Sequence, residues 1–425
     1  MMTSGIDEVL ARGLRAGCYP GAIAQVSHAG TVRRAGVGSI ASHGRDGSPI
    51  PPAQREPVRP DLHYDLASIT KVFTAITVLS LADEGTLAMD EPIATLLPAF
   101  RTSPERRRIT ALHLLTHTSG LPPVWPGWQD AGMRARSREA ILADIMAMPL
   151  RWAPGERLDY SCVGYITAMA LAEQATGQGW EQLVTTRVLR PLGLAHTGFN
   201  PLRHGVDVAD ITPTEFRPAL GLRPVGSTHA PDAAGASRPG SVTDDVDLTM
   251  VRGTVHDETA QVLGGVSGNA GMFSTLADLA RLAGALSSGL PGVLGRESFA
   301  MLWGDQLPRL LGGHADAEAA RNGYRHGVGL CVAQTRAAGP DAPWLRSHTG
   351  FTGTSLVLNR AGDYAILLSN RVHPTRQAPD LAPVRVALTR AAGLVEPGGL
   401  AERGGLAEPG ELAEPGELAE PGGQA

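Results

Sequence analysis

Between residues 68 and 85 the chain reads SITKVFTAITVLSLADEG, and its apolar positions Ile69, Val72, Phe73, Ile76 and Leu79 repeat with the 3.6-residue period of a helix face. Gly85 follows as a stop suited to the left-handed position after a helix end. The middle of the chain predicts more helices. SREAILADIMAM starts on Ser137 as N-cap and runs out before Pro149, and SCVGYITAMALAEQATG ends at Gly177. STLADLARLAGALSSG begins with Ser274 and Thr275, with Asp278 placed for a capping box. Strand patterning lies at the two ends. GAIAQVSHAGTVRRAGVGS (21–39) predicts a hairpin about His28, Ala29 and Gly30, followed by a Pro/Gly-rich loop over 42–61 and a short extended run over 64–67. Toward the C-terminus GVGLCVAQ, WLRSHTG, TSLVLN and YAILLSN read as strands, the last two joined by a turn at Gly362-Asp363, with a helix over 380–392 after them.

Strands at both ends with helices between are most simply built as one sheet whose first and last strands come from opposite ends of the chain. The expected fold is therefore α/β (α+β): an antiparallel sheet flanked by helices, from residues 1–85 and 290–393, with a mostly helical domain, 86–289, inserted. Residues 394–425 repeat LAEPGG-like hexads rich in Pro, Gly and Glu. Such a segment buries too little apolar surface to offset its ordering entropy and reads as a disordered acidic tail.

That tail changes the meaning of the net charge. The whole chain carries -5, but the tail holds seven Glu and one Arg, so the first 393 residues are nearly neutral. A neutral body without a basic stripe argues against nucleic acid as partner. No apolar run approaches the roughly 20 residues that span a bilayer, so no membrane partner is expected. The N-terminus reads as a short amphipathic helix without an apolar h-region, which makes the cytoplasm the expected compartment. Cys18, Cys162 and Cys331 are odd in number and far apart, and read as reduced thiols rather than a disulfide framework or a zinc site.

Lys71 is the only lysine; the other 36 basic residues are arginine. It stands three positions after Ser68, one helical turn away, where its amine can reach the serine hydroxyl. A serine hydroxyl is a poor nucleophile until a neighbouring base takes its proton, and an amine can do so where its pKa is depressed. Arginine cannot. A lysine needed only for its charge is replaceable by arginine; one that must release a proton is not. The helix N-terminus adds a positive dipole end that stabilises developing negative charge. By chance alone a lysine here has serine three residues before it about once in twenty, so partners decide the matter. Acyl transfer of this kind needs a second proton carrier and a strand lying beside the oxyanion. Tyr160, just before a predicted helix, and His348-Thr349-Gly350, on a predicted strand, supply candidates. Alone, a tyrosine there is more often packing and HTG more often a strand end; the ordered set is more specific.

The sequence resembles the serine β-lactamase and penicillin-binding protein superfamily, in particular its class C-like branch with related esterases and D-amino-acid peptidases. The resemblance runs over residues 5–392 and rests on DLASITK, LLTHTSGLP, PGERLDYSCVGY, GGVSGNAGMFSTLADLA and SHTGFTGTSL. It implies an acylated Ser68, with Lys71 and Tyr160 sharing base and acid roles, and no cofactor or metal. It also implies an oxyanion held by the N–H groups of Ser68 and Phe351, with Thr349 and Gly350 shaping the strand along the substrate and the site in the cleft between the two domains. Two departures bear on substrate. The family's Tyr-x-Asn ends here in Cys162, which removes a side-chain amide. Its Lys-Thr-Gly is here His348-Thr349-Gly350, which replaces a fixed cation by a group mostly neutral above pH ~6.5. Both, with the missing secretion signal, lean toward small-molecule esters or unusual amides. A β-lactamase or D-stereospecific aminopeptidase or carboxypeptidase is the alternative, and a non-catalytic sensor on the same fold is the second. Oligomeric state is left open.

Other features weigh less. His113 and His117 have zinc-pair spacing but lack the glutamate of His-Glu-x-x-His, and read as packing at a helix end. His256 and Asp257 are sequence neighbours that seldom face each other, so structural hydrogen bonding outweighs a catalytic pair. Trp125 and Trp128 either line the cleft or cover the core. No Gly-x-Ser-x-Gly elbow and no P-loop occurs.

Overall fold

Strand β1 (Gly21–His28) turns through Ala29 and Gly30 into β2 (Thr31–Gly38), with His28 opposite Thr31. Both turn residues have positive φ, 47° and 78°, which makes the tight two-residue connection that the strand twist favours. The structure is a computed structural model describing residues 5–218, 248–340 and 342–395. Its main sheet has seven antiparallel strands in the order β2-β1-β12-β11-β10-β9-β8. Here β8 is Arg325–His326, β9 Cys331–Val332, β10 Arg346–Thr349, β11 Ser355–Leu358 and β12 Tyr364–Ser369. The sheet joins the two ends of the chain as expected, with Ala22 of β1 opposite Ser369 of β12.

Both faces of the central strand β12 are covered. Ala365 and Leu367 of β12 pack with Ala22, Ala24 and Val26 under helix α1 (Gly5–Arg15) and the C-terminal helix Ala382–Ala391. Ile366 and Leu368, one residue out of step, face the larger core built around helix α2 (Thr70–Asp83). This alternation with no exposed face explains why β12 reads as a continuous apolar run. α2 departs from the one-sided helix its period suggests: residues 70–81 are all buried. Its polar side chains are satisfied internally, Thr74 Oγ1 donating to the Gly268 carbonyl at 2.7 Å and Thr77 Oγ1 to Phe73 at 2.8 Å.

Several predicted elements change on folding. Helix α3 (Cys162–Thr176) starts and stops as predicted, with Ser161 Oγ accepting from Gly164 N–H and Gly177 at φ 67°. Helix α4 is Glu258–Val262, and helix α5 (Leu276–Ser288) is capped by Thr275. The expected capping box of α5 does not close, because the Asp278 carboxylate accepts instead from His196 N–H at 2.7 Å and Thr197 Oγ1 at 2.9 Å. The predicted strand 327–334 shrinks to Cys331–Val332. Gly329 holds a positive φ of 85° against Ala75 of α2, where a Cβ would come within 2.2 Å. The run at 64–67 forms β3 (Tyr64–Asp65), which lies outside the main sheet. It pairs with β7 (Met272–Ser274), which pairs in turn with β4 (Gly198–Phe199). β5 (Phe216–Pro218) and β6 (Leu248–Met250) pair antiparallel as a separate two-stranded sheet. Leu394, the first residue of the predicted tail, is buried; 396–425 lie outside the described residues. Among the described residues no helix is long and apolar enough to cross a membrane.

Candidate active site

β3 leads directly into the turn that carries Ser68. Its Asp65 carboxylate accepts from Ala67 N–H at 2.8 Å, and Ala67 adopts φ 46°, an uncommon conformation for a residue with a Cβ. The turn is held from the far end of the chain as well. Thr352 Oγ1 donates to the Asp65 carbonyl at 2.6 Å and Thr354 Oγ1 to the Leu66 carbonyl at 3.1 Å. Gly350 allows this approach: a Cβ there would lie 2.5 Å from the Leu66 carbonyl oxygen. A short 3₁₀ turn, Ala67–Ile69, then feeds α2, so Ser68 stands at the mouth of a fourteen-residue helix, partly open to solvent.

Lys71 Nζ lies 3.1 Å from Ser68 Oγ, 2.9 Å from the Asn269 carbonyl oxygen and 3.5 Å from Cys162 Sγ. The Lys71 side chain has no exposed surface. The Tyr160 ring centroid is 4.9 Å from Nζ, and that of Tyr165 5.6 Å. Burial raises the Tyr160 phenol well above its ordinary pKa, Cys162 adds to the rise, and a hydrogen bond with Ser68 works against it. Ser68, Lys71, Tyr160 and Cys162 are therefore brought together, as the sequence reading required. Cys162 occupies the first position of α3 and is partly open.

Tyr160 is positioned by a residue that sequence reasoning assigned to packing. His117 does not share a helix face with His113: the helix ends at Leu115, and His117 turns inward at φ 60°. Its carbonyl accepts from Asp159 N–H at 2.9 Å and its Nδ1 from Ser161 N–H at 3.0 Å, bracketing Tyr160, whose ring lies 4.3 Å away. His326 sits edge-on to His117 at 4.8 Å. Burial lowers His326 to about 4 and drives His117 well below its ordinary value, so both are neutral at pH 7.

On the strand wall, β10 carries His348 opposite Leu356 and Thr349 opposite Ser355. His348 is buried, its Nδ1 3.1 Å from the Thr349 carbonyl oxygen. Burial, and next the charge of Lys71, push its pKa down to about 3. His348 therefore enters the site as a neutral group, over a wider pH range than an exposed histidine. Thr349 is half-buried along the same strand. Phe351, next along the chain from Gly350, is 49% exposed. Among the described residues neither Ser68 N–H nor Phe351 N–H donates to a protein acceptor, which leaves both amides available to an oxyanion.

The remaining candidates resolve on geometry. His256 and Asp257 do not form a dyad. The His256 ring packs on Phe351 at 5.5 Å, and Asp257 caps α4 through Ala260 N–H at 2.8 Å. Trp125 covers the core, its Nε1 donating to Asp144 at 2.7 Å. All three cysteines are free, and no cluster of metal-binding side chains occurs among the described residues. A separate cavity of about 1060 Å³, lined by His63, His196 and Phe199 among others, contains none of these site residues.

Comparison with known proteins gives the family and the fold. The profile of the family described as Beta-lactamase matches residues 6–389. A protein of Escherichia coli (strain K12), a D-alanyl-D-alanine carboxypeptidase by name, is 31% identical over 336 residues, which is 75% of this chain and 71% of that protein. A counterpart from Salmonella enteritidis PT4 (strain P125109) is 29% identical over 336 residues, 75% of this chain and 72% of its own. Among solved structures, EstCE1, described as a hydrolase with promiscuous acyltransferase activity, superposes with a TM-score of 0.66 at 20% identity, covering 92% of this chain and 98% of its own. The D-stereospecific amidohydrolase from Streptomyces sp. gives 0.60 at 20% identity, with 91% and 98% covered.

Proposed function

The chain belongs to the β-lactamase family and is a serine hydrolase, and from that premise we propose that it works through an acyl-enzyme on Ser68, with small-molecule esters or amides as substrates. The observation that carries the proposal is the 3.1 Å approach of a wholly buried Lys71 amine to the Ser68 hydroxyl. Lys71, with Tyr160 beside it, takes the hydroxyl proton as Ser68 Oγ attacks the carbonyl. The N–H groups of Ser68 and Phe351 receive the oxyanion, and the same proton returns to the leaving group through Tyr160 or Lys71. Water then attacks the ester and regenerates Ser68. Three free thiols support a reducing compartment, and we assign the enzyme to the cytoplasm.

A narrower reading, a D-stereospecific peptidase, is favoured by the name of the Escherichia coli relative and by the Streptomyces fold neighbour. The neutral His348, which offers no fixed charge to a terminal carboxylate, weighs against its carboxypeptidase form. Incubation with p-nitrophenyl esters, a chromogenic cephalosporin and D-alanyl peptides, followed by intact mass measurement, tests both. The proposal expects an acyl adduct mapped to Ser68 with at least the esters and no adduct in Ser68→Ala. If neither substrates nor a fluorophosphonate probe label Ser68, the proposal fails and a non-catalytic sensor remains.

A further inference from the structure

Phe273 is only 2% exposed, yet it belongs to none of the buried apolar clusters. Met272 before it and Leu276 after it both join the main core, whereas the Phe273 side chain lines the cavity of about 1060 Å³. A buried phenyl ring without apolar packing leaves dispersion contacts unmade. Leu189, Leu194 and Phe199 add further apolar wall. The cavity borders the segment that leads to Ser68 but does not include the serine. Phe273 of β7 stands opposite Asp65 of β3, and His63, two residues before Asp65, lines the same space.

The charges of the lining are largely spent on one another. Arg59 donates to both Asp61 and Asp210, and Glu181 lies 2.9 Å from His204 Nε2. From the neighbouring elements, Arg281 donates to the Gly193 carbonyl at 3.1 Å and Arg252 to the Ile211 carbonyl at 2.6 Å. Among the described residues only Asp207 and Arg190 of the lining lack an ion-pair partner, and both are exposed and opposite in sign. The cavity thus favours neither charge. Inside it, His63 is 7% exposed, its buried Nδ1 makes no direct hydrogen bond, and no hydrogen bond reaches its Nε2 among the described residues. Burial, and next His196 edge-on at 6.1 Å, hold its pKa below the ordinary value against the weaker pulls of Asp210 and Asp278. The ring is therefore neutral at pH 7, with one donor and one acceptor.

We propose that this cavity is a second binding site, which takes an uncharged aromatic alcohol or phenol whose hydroxyl hydrogen-bonds to His63 while its ring packs on Phe273. The volume is at the upper end of ordinary small-molecule sites, about 300–1,000 Å³. A hydroxyl both donates and accepts, so it satisfies either tautomer of a neutral imidazole. A charged head would give up its hydration with no buried counterion to meet it.

The test measures binding of 1-naphthol, naphthalene, 1-naphthoate and 1-naphthylmethylamine to the full chain by equilibrium dialysis at neutral pH. The expected result is that 1-naphthol saturates one site and binds about tenfold or more tightly than either charged analogue. Gly198 lines the cavity, and a Cβ there would meet no atom within 4 Å, so Gly198→Leu fills the space without a clash at that atom. It should weaken 1-naphthol by about tenfold or more while the thermal midpoint stays near that of wild type. His63→Phe keeps a ring and removes the hydrogen bond, so 1-naphthol should weaken about threefold to tenfold and naphthalene hardly at all. Absence of saturable 1-naphthol binding overturns the proposal, and so does tighter binding of either charged analogue. Binding unchanged in a folded Gly198→Leu overturns it by placing the naphthol elsewhere, the Ser68 cleft included. If Gly198→Leu does not fold, His63→Phe decides: equal loss of naphthol and naphthalene, or loss of neither, overturns the proposal.

Discussion

The two walls of the cleft are built differently. On the helix wall each reacting group is committed: Lys71 Nζ touches Ser68, Asn269 and Cys162, and Tyr160 is bracketed by two bonds to His117. On the strand wall and rim the groups are loosely engaged. His348 Nε2 has no partner among the described residues, Phe351 is about half exposed, and the two candidate oxyanion amides are free. On the proposed mechanism the helix wall carries the proton transfer, a step that tolerates little error in distance. Under the same proposal, substrate choice falls to the side where the contacts are sparse.

The sharpest way to break this contrast is Lys71→Arg. Charge and approximate length persist, but guanidinium cannot accept a proton, so kcat/KM for a p-nitrophenyl ester should fall by about 10³ or more, since a general base alone contributes ~10²–10⁴. Residual activity near wild type would remove Lys71 from the base role. Next in size is His117→Ala, which leaves the Ser161 amide unpaired and frees Tyr160 to drift. A loss of about tenfold to a hundredfold in kcat is expected, since small displacements of catalytic groups have effects of this order. KM for the ester should change less.

The strand wall should respond more gently. His348→Gln keeps a neutral polar group and is expected to change kcat/KM by only about threefold, within the range of a single neutral hydrogen bond. The pH profile sharpens the point. His348 near 3 and His326 near 4 stay neutral throughout pH 5–8, whereas burial lifts the Asp65 carboxyl to about 6. An acid limb of kcat/KM near pH 6 therefore belongs to Asp65, whose protonation costs it an acceptor for Ala67 or His256, and it persists in His348→Gln. A limb that vanishes in that variant would return the titration to His348. Stability carries its own signature. The buried histidines His326, His348 and His373, lowered to about 4, 3 and 3, contribute stability that is full above pH 6.5 and is lost as pH falls toward 3. Asp65 has the opposite sign, gaining between about pH 6 and 4, but one carboxyl stands against three imidazoles. Thermal midpoints should fall steadily from pH 6.5 to 4.

What could be read from the chain followed the range of the interactions involved. Ser68 and Lys71 are one turn apart, so local periodicity places them together. The N-cap Ser137 is also local, and its hydroxyl accepts from Ala140 N–H as predicted. Asp278 misled because a carboxylate suited to a local box found stronger donors in His196 and Thr197, about eighty residues away. His117 and His326 could not be paired from sequence, since nothing in either's neighbourhood signals the other; only the fold sets them 4.8 Å apart. The burial of all of α2 was hidden by its threonines, which look solvent-facing until their hydroxyls are seen donating to backbone carbonyls. His348 does lie on the expected strand, but its protonation is a property of its surroundings and not of its type.

The clasp of Thr352 and Thr354 on the Asp65–Leu66 backbone has a consequence for biosynthesis. The segment bearing the nucleophile emerges from the ribosome nearly three hundred residues ahead of the hydroxyls that shape it, and β1 waits still longer for β12. A nascent chain thus displays Ser68 before Thr352 and Thr354 can hold its turn. On the proposed mechanism, competence to hydrolyse waits until the last strands dock.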